Sequence, residues 1–564
     1  MKTKYWWCYL IAAVVLINYL ASLVHFRVDL TAEKRYTLGA PTKQLLRGLN
    51  DRVSIDVYLA GHLPADFRNL RNNAEELLQE FREYDKNTIS YSFHRPGEGL
   101  GDTARQNFLM YLDSLGIHPT NVKVQTEAGE SQEQRLVYPA ALVTYKDRVV
   151  PIDFLQGQNM QEGLQSLNNV ISLLEYKFAN AIQKVTQEKP AVIGYLAGNG
   201  EPLSYNVYDL IERTLKPQYG FGFVPIDSVP VIPLEFDAVM IVKPTTAFTD
   251  RQKLKLDQYV MHGGKLIWMI DNLYAEMDSL MRTQSDFVAF DRALNIDDQL
   301  FRYGVRINRD LVQDLQCDKL PLVVGSYGDR PQPQLVPWPY FPLLSSYNDH
   351  PIAKNMNTVL SIFPNSMDTV EAEGIKKTVI LASSASSRTL STPAIVSLNS
   401  VQTEADVQTF NQKNIPIAIL LEGKFTSLFT NRIPSSVADS LGRIYQQPFL
   451  ATAAMPNKMI VISDADIVAN VVTQNEGPLQ MGTNQFTKVQ YANRDFITNC
   501  IEYLTNPSGI LAARAKTFVL RLLDPAKIED QRTTWQIINV GLPVVLILGF
   551  ALVYQAIRNK KYTA

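Results

Sequence analysis

Read for its apolar positions, the chain carries an uncharged run near each end and shorter periodic segments between them. Tyr5 to Val24 is twenty residues without Asp, Glu, Lys or Arg; Thr534 to Ile557 is a second such run, followed at once by Arg558, Lys560 and Lys561. At about 1.5 Å of rise per residue, a helix of either run reaches across the roughly 30 Å hydrocarbon core of a bilayer. Trp6, Trp7, Trp535 and Tyr554 sit where amphipathic rings favour the headgroup level. Gly541 and Pro543 are tolerated in membrane helices, where they would weaken a soluble one. The first run exceeds a signal-peptide core of about 7–15 residues and lacks a small-residue cleavage site, which favours an uncleaved anchor. The short tails MKTK and RNKKYTA are both basic. Both termini are therefore expected in the cytoplasm, with the residues between the spans on the other side.

Between the spans the periods switch between two and 3.6. Val53–Leu59 alternates as a strand, Pro64–Tyr84 sets Phe67, Leu70, Ala74, Leu77, Leu78 and Phe81 at helical spacing, and Ile89–Phe93 returns as a strand. A helix over Arg105–Leu115 and strands at Asn121–Gln125, Leu136–Tyr145 and Arg148–Ile152 follow. This β-α-β-α-β-β order is that of a thioredoxin-like domain, though without C-x-x-C it carries no redox exchange. A long amphipathic helix, Gln161–Gln187, ends at Lys189-Pro190, the expected boundary. The second module opens with AVIGYLAGNGEP, a buried strand running into a glycine turn, and a helix over Tyr205–Leu215. Strands at Ala238–Val242 and Lys265–Ile270 bracket a helix over Asp250–His262, which is the grammar of a doubly wound parallel sheet. A helix is read near Phe287–Leu294, and strands at Thr378–Ser383, Pro416–Glu422 and Lys458–Ser463. Asn493–Leu504 closes the module as an amphipathic helix, and Phe518–Arg532 reads as a tether. Pro321–Tyr347 breaks this pattern with five prolines between residues 331 and 342. Trp338, Tyr340 and Phe341 lie among them, a composition that suits a docking loop as well as a rigid loop packed on its own domain.

Composition narrows the chemistry. A net charge of −2 supplies no basic face for nucleic acid. Three cysteines exclude a disulfide framework and a cysteine-based zinc site; Cys317 and Cys500 either pair or stand as two separate buried thiols. No G-x-x-x-x-G-K-[ST], H-E-x-x-H or G-x-S-x-G occurs, and Gly263-Gly264-Lys265 is followed by Leu266, not by the hydroxyl that would hold Mg²⁺. No cofactor or metal is therefore expected. What remains are polar strand ends: Asn199 and Glu201, Asp271, and Asp464 with Asp466. Open α/β sheets bind ligands beyond the carboxyl ends of their strands, so these residues are candidates for a cation, a polar ligand or acid–base work. They equally suit helix caps and turns.

The basic-flanked first span followed by DLTAEKRYTL, then GYLAGNGEP, DAVMIVKPTTAFTDRQKLKLDQYVMHGGKLIWMID, YGVRINRDLVQD, VISDADIVAN and NRDFITNCIEYL, resembles the ABC-transporter auxiliary family, in particular its gliding-motility components of Bacteroidetes. The resemblance covers nearly the whole chain. It implies a subunit beside a separate membrane permease and a separate cytoplasmic ATPase, in a bacterial inner membrane. It also implies a periplasmic domain often labelled substrate-binding. The second module would be a class I glutamine amidotransferase-like α/β fold. The turn after Leu196 reads Gly198-Asn199-Gly200 where the amidotransferases carry their nucleophilic cysteine, which implies a scaffold and not an enzyme. The expected division is a tail (1–4), a span (5–24), the thioredoxin-like module (25–189), the amidotransferase-like module (190–510), a tether (511–533), a span (534–557) and a tail (558–564). Gly541 and Gly549, eight residues apart, would let a partner helix approach. The competing readings are a membrane-tethered hydrolase that uses the strand-end carboxylates, and a mechanical scaffold without a ligand.

Overall fold

The computed structural model describes residues 10–16, 37–85, 88–125, 132–156, 164–283, 286–327, 330–398, 404–515 and 525–562. Of the expected first span, residues 10–16 are helical with exposed side chains; the rest, with Trp6, Trp7 and Cys8, lies outside the described residues. The chain forms two compact units, Met1–Thr517 and Phe518–Ala564.

In the first unit, β1 (Val53–Val57) buries Val53, Ile55 and Val57 and leaves Ser54 and Asp56 half-buried, the alternation of a one-faced strand. It lies parallel to β2 (Ile89–Phe93). The hairpin β3 (Thr120–Gln125) and β4 (Gln132–Val137) is a separate pair. β5 (Ala140–Tyr145) runs antiparallel to β1 and to β6 (Arg148–Asp153), giving the order β2-β1-β5-β6. The expected continuous strand Leu136–Tyr145 is thus two strands, because Pro139 has no N–H to continue a ladder. The helix Ala65–Tyr84 covers this sheet with Phe67, Leu70, Ala74, Leu78 and Phe81. The helix Leu164–Thr186 sends Tyr176 and Ala179 into a core shared with the next sheet.

That sheet has ten strands among the described residues. β7 (Val192–Ala197), β9 (Ala238–Val242) and β10 (Lys265–Met269) are parallel, as expected, and β8 (Gly220–Pro225), not read in the sequence, lies parallel to β7. β11 (Leu273–Tyr274) and β12 (Asp286–Asp291) follow, two of the three strands of a small sheet completed later in the chain, then β13 (Val305–Ile307), β14 (Asp310–Asp314), β15 (Cys317–Tyr327) and β16 (Arg330–Ser346). Next come β17 (Val359–Leu360), β18 (Met367–Thr369), β19 (Ile375–Ala382), β20 (Ser387–Ser391), β21 (Ala394–Ser397), β22 (Pro416–Gly423) and β23 (Asn457–Ile462). The main order is β15-β16-β19-β22-β23-β10-β9-β7-β8, with β17 beside β16. β23 is parallel to β10, but β22, β19 and β16 are antiparallel. The sheet is therefore mixed and not wholly parallel. A buried strand such as β22 is apolar on both faces, and its pattern carries no record of direction. Side chains alternate between two cores, with Met240, Ile267 and Met269 on one face and Ile241, Leu266 and Trp268 on the other.

Two further expectations fail. The helix read near Phe287–Leu294 is strand β12 and a turn: Phe287 and Ala289 face inward, Val288 and Phe290 are exposed, and the chain turns at Ala293 (φ 52°) and Asn295 (φ 59°). A short apolar run does not distinguish the two periods. The Pro-rich segment is not a loop but the 17-residue strand β16, paired with β15 through Pro331, Pro333 and Pro337. Proline costs a ladder its N–H, and the register shifts between Cys317/Lys319 and Val323/Gly325 mark irregular pairing in this outer hairpin. Trp338 and Tyr340 are each 1% exposed and Phe341 5%. Trp338 Nε1 donates to Ser397 O (3.1 Å) and the Tyr340 hydroxyl to Ile395 O (3.1 Å), while Phe363 packs 5.6 Å from the Trp338 ring. The three rings build a core, so their area is already covered.

In the second unit, a single helix runs from Pro525 to Tyr562 with Pro543 inside it. It begins within the stretch read as a tether. Its segment Gln531–Lys560 is long and apolar enough to cross a membrane by length and composition.

Candidate functional site

The parallel strands end on charge. β10 and β23 are neighbours, so Asp271, two residues past β10, meets the turn that follows β23. Asp271 Oδ1 accepts from the Ala465 N–H at 2.6 Å, tying the two strand ends together. Asp464 accepts from the backbone N–H of Asp466 (2.8 Å) on one oxygen, and from the N–H of Ile362 (2.8 Å) and the Ser361 hydroxyl on the other. Those last donors belong to the loop 361–366, which lies against the strand ends. Ser463 Oγ donates to Asn365 O (2.5 Å), and the Asn272 N–H donates to Asn365 Oδ1 (2.8 Å). The crevice at Asp464 is therefore filled by the chain itself, and Asp464 is fully buried.

The residue at the centre is Lys243, directly after β9. Its Nζ lies 2.5 Å from Asp466 Oδ1, 3.0 Å from Glu276 Oε2 and 3.2 Å from Asp271 Oδ2. Asp271 Oδ2 makes no hydrogen bond and meets the ammonium as an ion pair. Glu276 is held from the other side by Arg292, whose Nε donates to Leu273 O at 3.0 Å. Burial alone would lower the lysine's pKa, but Asp466, Asp271 and Glu276 outweigh it and hold the ammonium well above its ordinary range. Burial, reinforced by Asp271 and Asp466, pushes the Asp464 carboxyl well above its ordinary value. Asp466 is pushed up to about 7, burial and Asp271 prevailing over the lowering effect of Lys243. The ammonium stands where a cation would stand among three carboxylates. Among the described residues no group of three or more His, Cys, Asp or Glu side chains is disposed to hold a metal.

Of the residues picked out in the sequence, Asp271, Asp464 and Asp466 converge. Asn199 and Glu201 do not join them, because β9 stands between β7 and β10. Glu201 Oε2 instead accepts from the N–H groups of Gly198 (3.0 Å) and Asn199 (2.7 Å), closing its own turn. Asn199 O accepts from the N–H groups of Thr245 and Thr246. Gly200 (φ 81°) lies so close to Thr245 that a Cβ would meet its hydroxyl at 2.0 Å. Burial raises the Glu201 carboxyl above its ordinary value, and Glu201 Oε1 and Asn199 Oδ1 are buried without a hydrogen-bond partner. Lys243, Glu276, Arg292 and the 361–366 loop were missed. Lys243 ends a parallel strand as Asp271 does, so the rule that selected the aspartates would have found it. Glu276 and Ser361 follow no buried parallel strand, and nothing local marks them. Cys317 and Cys500 are both free; burial pushes the Cys317 thiol up to about 12. Gly541 and Gly549 lie on the separate C-terminal helix with open space where a Cβ would stand.

Residues 190–500, more than half of the chain, match the family model of an ABC-type uncharacterized transport system. Residues 32–144 match a domain of unknown function (DUF7088). An uncharacterized protein of Borreliella burgdorferi is 21% identical over 433 residues, covering 73% of this chain and 75% of that protein. The mmIFT52 N-terminal domain overlays with a TM-score of 0.30 at 14% identity, covering 56% of this chain and 98% of that domain. The exo-beta-1,4-mannosidase Op5Man5 from Opitutaceae bacterium strain TAV5 overlays with a TM-score of 0.18 at 10% identity, covering 87% of this chain and 56% of the enzyme. Overlays this loose carry no argument about fold or function.

Proposed function

The chain belongs to the ABC-type uncharacterized transport system family, and from that premise we propose that it is a non-catalytic auxiliary subunit held in the membrane beside a permease and a cytoplasmic ATPase. The observation that carries this reading is one chain joining the family's 190–500 region to the membrane-length helix segment Gln531–Lys560. The uncharged run 5–24 and the two basic tails support a two-pass arrangement, with both termini cytoplasmic and residues 25–533 in the periplasm. In this reading the division into thioredoxin-like and amidotransferase-like modules holds, and the complex is the gliding-motility transporter of which GldG is a component. The absence of a P-loop assigns ATP hydrolysis to another chain. The lysine among the carboxylates supports a non-catalytic role, since each acid is engaged by a cation or by backbone N–H groups. Asn199, Glu201, Asp271, Asp464 and Asp466 then act as structural anchors of the strand ends. The loop packed on Asp464 favours a bracing role over reception of a ligand in that crevice.

Detergent extraction followed by affinity purification tests the assignment. The expected outcome is co-purification of a permease and an ATPase in fixed ratio with this chain. Recovery of the chain without either would sink the proposal. ATP hydrolysis by the isolated chain would sink the non-catalytic part separately.

A further inference from the structure

The main sheet ends on one side at β8, Gly220–Pro225, with no strand beyond it among the described residues. Gly220 N–H donates to Ala191 O, and Ile226 N–H to Ala197 O, each at 2.9 Å, so residues of that parity bond inward to β7. The N–H and C=O groups of Phe221 and Phe223 therefore point outward along the free edge. An unpaired edge is a template for another strand, and natural sheets blunt theirs with charges, prolines or bulges. The far edge does so: β15 carries Asp318, Lys319 and Pro321. β8 reads GFGFVP, without a charge and with its only proline at the end. Phe223 is 49% exposed, resting edge-on against Phe221 at 5.2 Å and against Tyr195 at 5.9 Å.

We propose that β8 is a homotypic docking edge, where two copies of this chain pair antiparallel about a two-fold axis at Gly222 and continue the sheet from one to the other. That register is chosen by the strand itself. Centring on Gly222 sets Phe221 opposite Phe223 of the second copy, which brings the outward N–H and C=O groups together as hydrogen-bonded pairs. Aromatic cross-strand pairs of this kind are favourable. They cover the Phe223 ring and extend the core that already holds Tyr195. Gly222 faces its own copy across the axis; a Cβ there would press on the Phe236 ring at 3.1 Å, and its absence leaves the strand without a side chain at the axis. The charges agree as well. Lys216, whose Nζ lies 2.6 Å from Glu212 Oε1, precedes the strand, and Asp227, which accepts from Gln252 Nε2 at 2.8 Å, follows it; both stay exposed, and antiparallel pairing sets the lysine end of one copy beside the aspartate end of the other. A two-fold contact is self-complementary by construction, and this edge meets that requirement. The inference stands apart from the transporter reading and survives its failure.

Light scattering on the full-length, detergent-solubilised chain reads the protein mass directly. The expected outcome is two protomers for the native chain and one for Phe223→Pro, which removes an outward N–H while leaving the ladder to β7 intact. Phe223→Lys, which keeps the backbone donor but adds a gatekeeping charge, is expected to give the monomer mass with an unchanged far-UV spectrum. A monomeric native chain, or a dimer that persists in a folded Phe223→Lys variant, would overturn the proposal. Register is tested by oxidative cross-linking. A hydrogen-bonded antiparallel pair has Cα atoms about 5.5 Å apart, within disulfide reach. Phe221→Cys mixed with Phe223→Cys is expected to give a cross-linked dimer, against the native chain with its three cysteines as control. Cross-linking no stronger in the mixture than in either variant alone would exclude this register and with it the proposal.

Discussion

Asp464 shows how a buried carboxyl is fixed by donors that an amide does not replace. Both of its oxygens accept backbone N–H groups, from Asp466 on one side and Ile362 on the other. An asparagine would turn its NH2 toward one of those N–H groups in either orientation. Asp464→Asn is therefore expected to destabilise the fold by about 1–3 kcal/mol, the cost of an unmatched buried polar group. A thermal midpoint equal to that of the native chain would contradict this. Lys243→Met leaves Asp271, Asp466 and Glu276 facing one another with only Arg292 to offset them, and breaking a buried ion pair from one side costs about 3–5 kcal/mol. Adding Asp466→Asn to that variant is expected to recover part of the loss, measured as the return of the thermal midpoint. Asp466 also sets a pH dependence. Its folded-state value of about 7 lies above the ordinary 3.8, so the folded state keeps a proton that the unfolded chain releases. That stabilisation is complete below about pH 4 and is lost as pH rises toward 7. Asp466→Asn is expected to flatten the midpoint-versus-pH curve across that window.

At the scale of elements, β16 separates side chains that build the fold from those that only decorate it. Trp338 is 1% exposed and packs against Tyr340, Phe341 and Phe363, whereas Leu335, three residues earlier, is 47% exposed. Trp338→Ala is expected to cost about 3–5 kcal/mol through lost burial and the cavity left behind. Leu335→Ala should stay within about 0.5 kcal/mol. Chemical unfolding of the two variants side by side checks the contrast; equal effects would mean that the hairpin is not packed as described. Most periodic helices and the short buried strands are legible in sequence, because Phe67, Leu70, Ala74, Leu78 and Phe81 follow one helical face. β12 and β16 are not legible. The first is too short for its period to declare itself, and the second contains prolines that argue against a strand until its position in an outer hairpin is known.

For the whole molecule, the helix Pro525–Tyr562 belongs to the second compact unit, and its segment Gln531–Lys560 is long and apolar enough to cross a membrane. A chain shortened to residues 37–517 is expected to remain in the supernatant after alkaline washing of membranes. A chain carrying residues 518–564 should stay in the pellet. Equal partitioning of the two would refute the C-terminal helix as an anchor.

The sequence by itself determined the two uncharged runs, most of the alternation of strand and helix from residue 53 to 270, though not β8 or the break at Pro139, the strand-end aspartates and the missing nucleotide and nucleophile motifs. These are local properties: period, charge and spacing along one stretch of chain. Only the tertiary structure decided that half of the main sheet runs antiparallel, because buried strands are apolar whichever way they point. It alone brought Lys243, Glu276 and Ser361 to the aspartates and left Asn199 and Glu201 outside the cluster, because strand order, not chain order, sets which ends are neighbours.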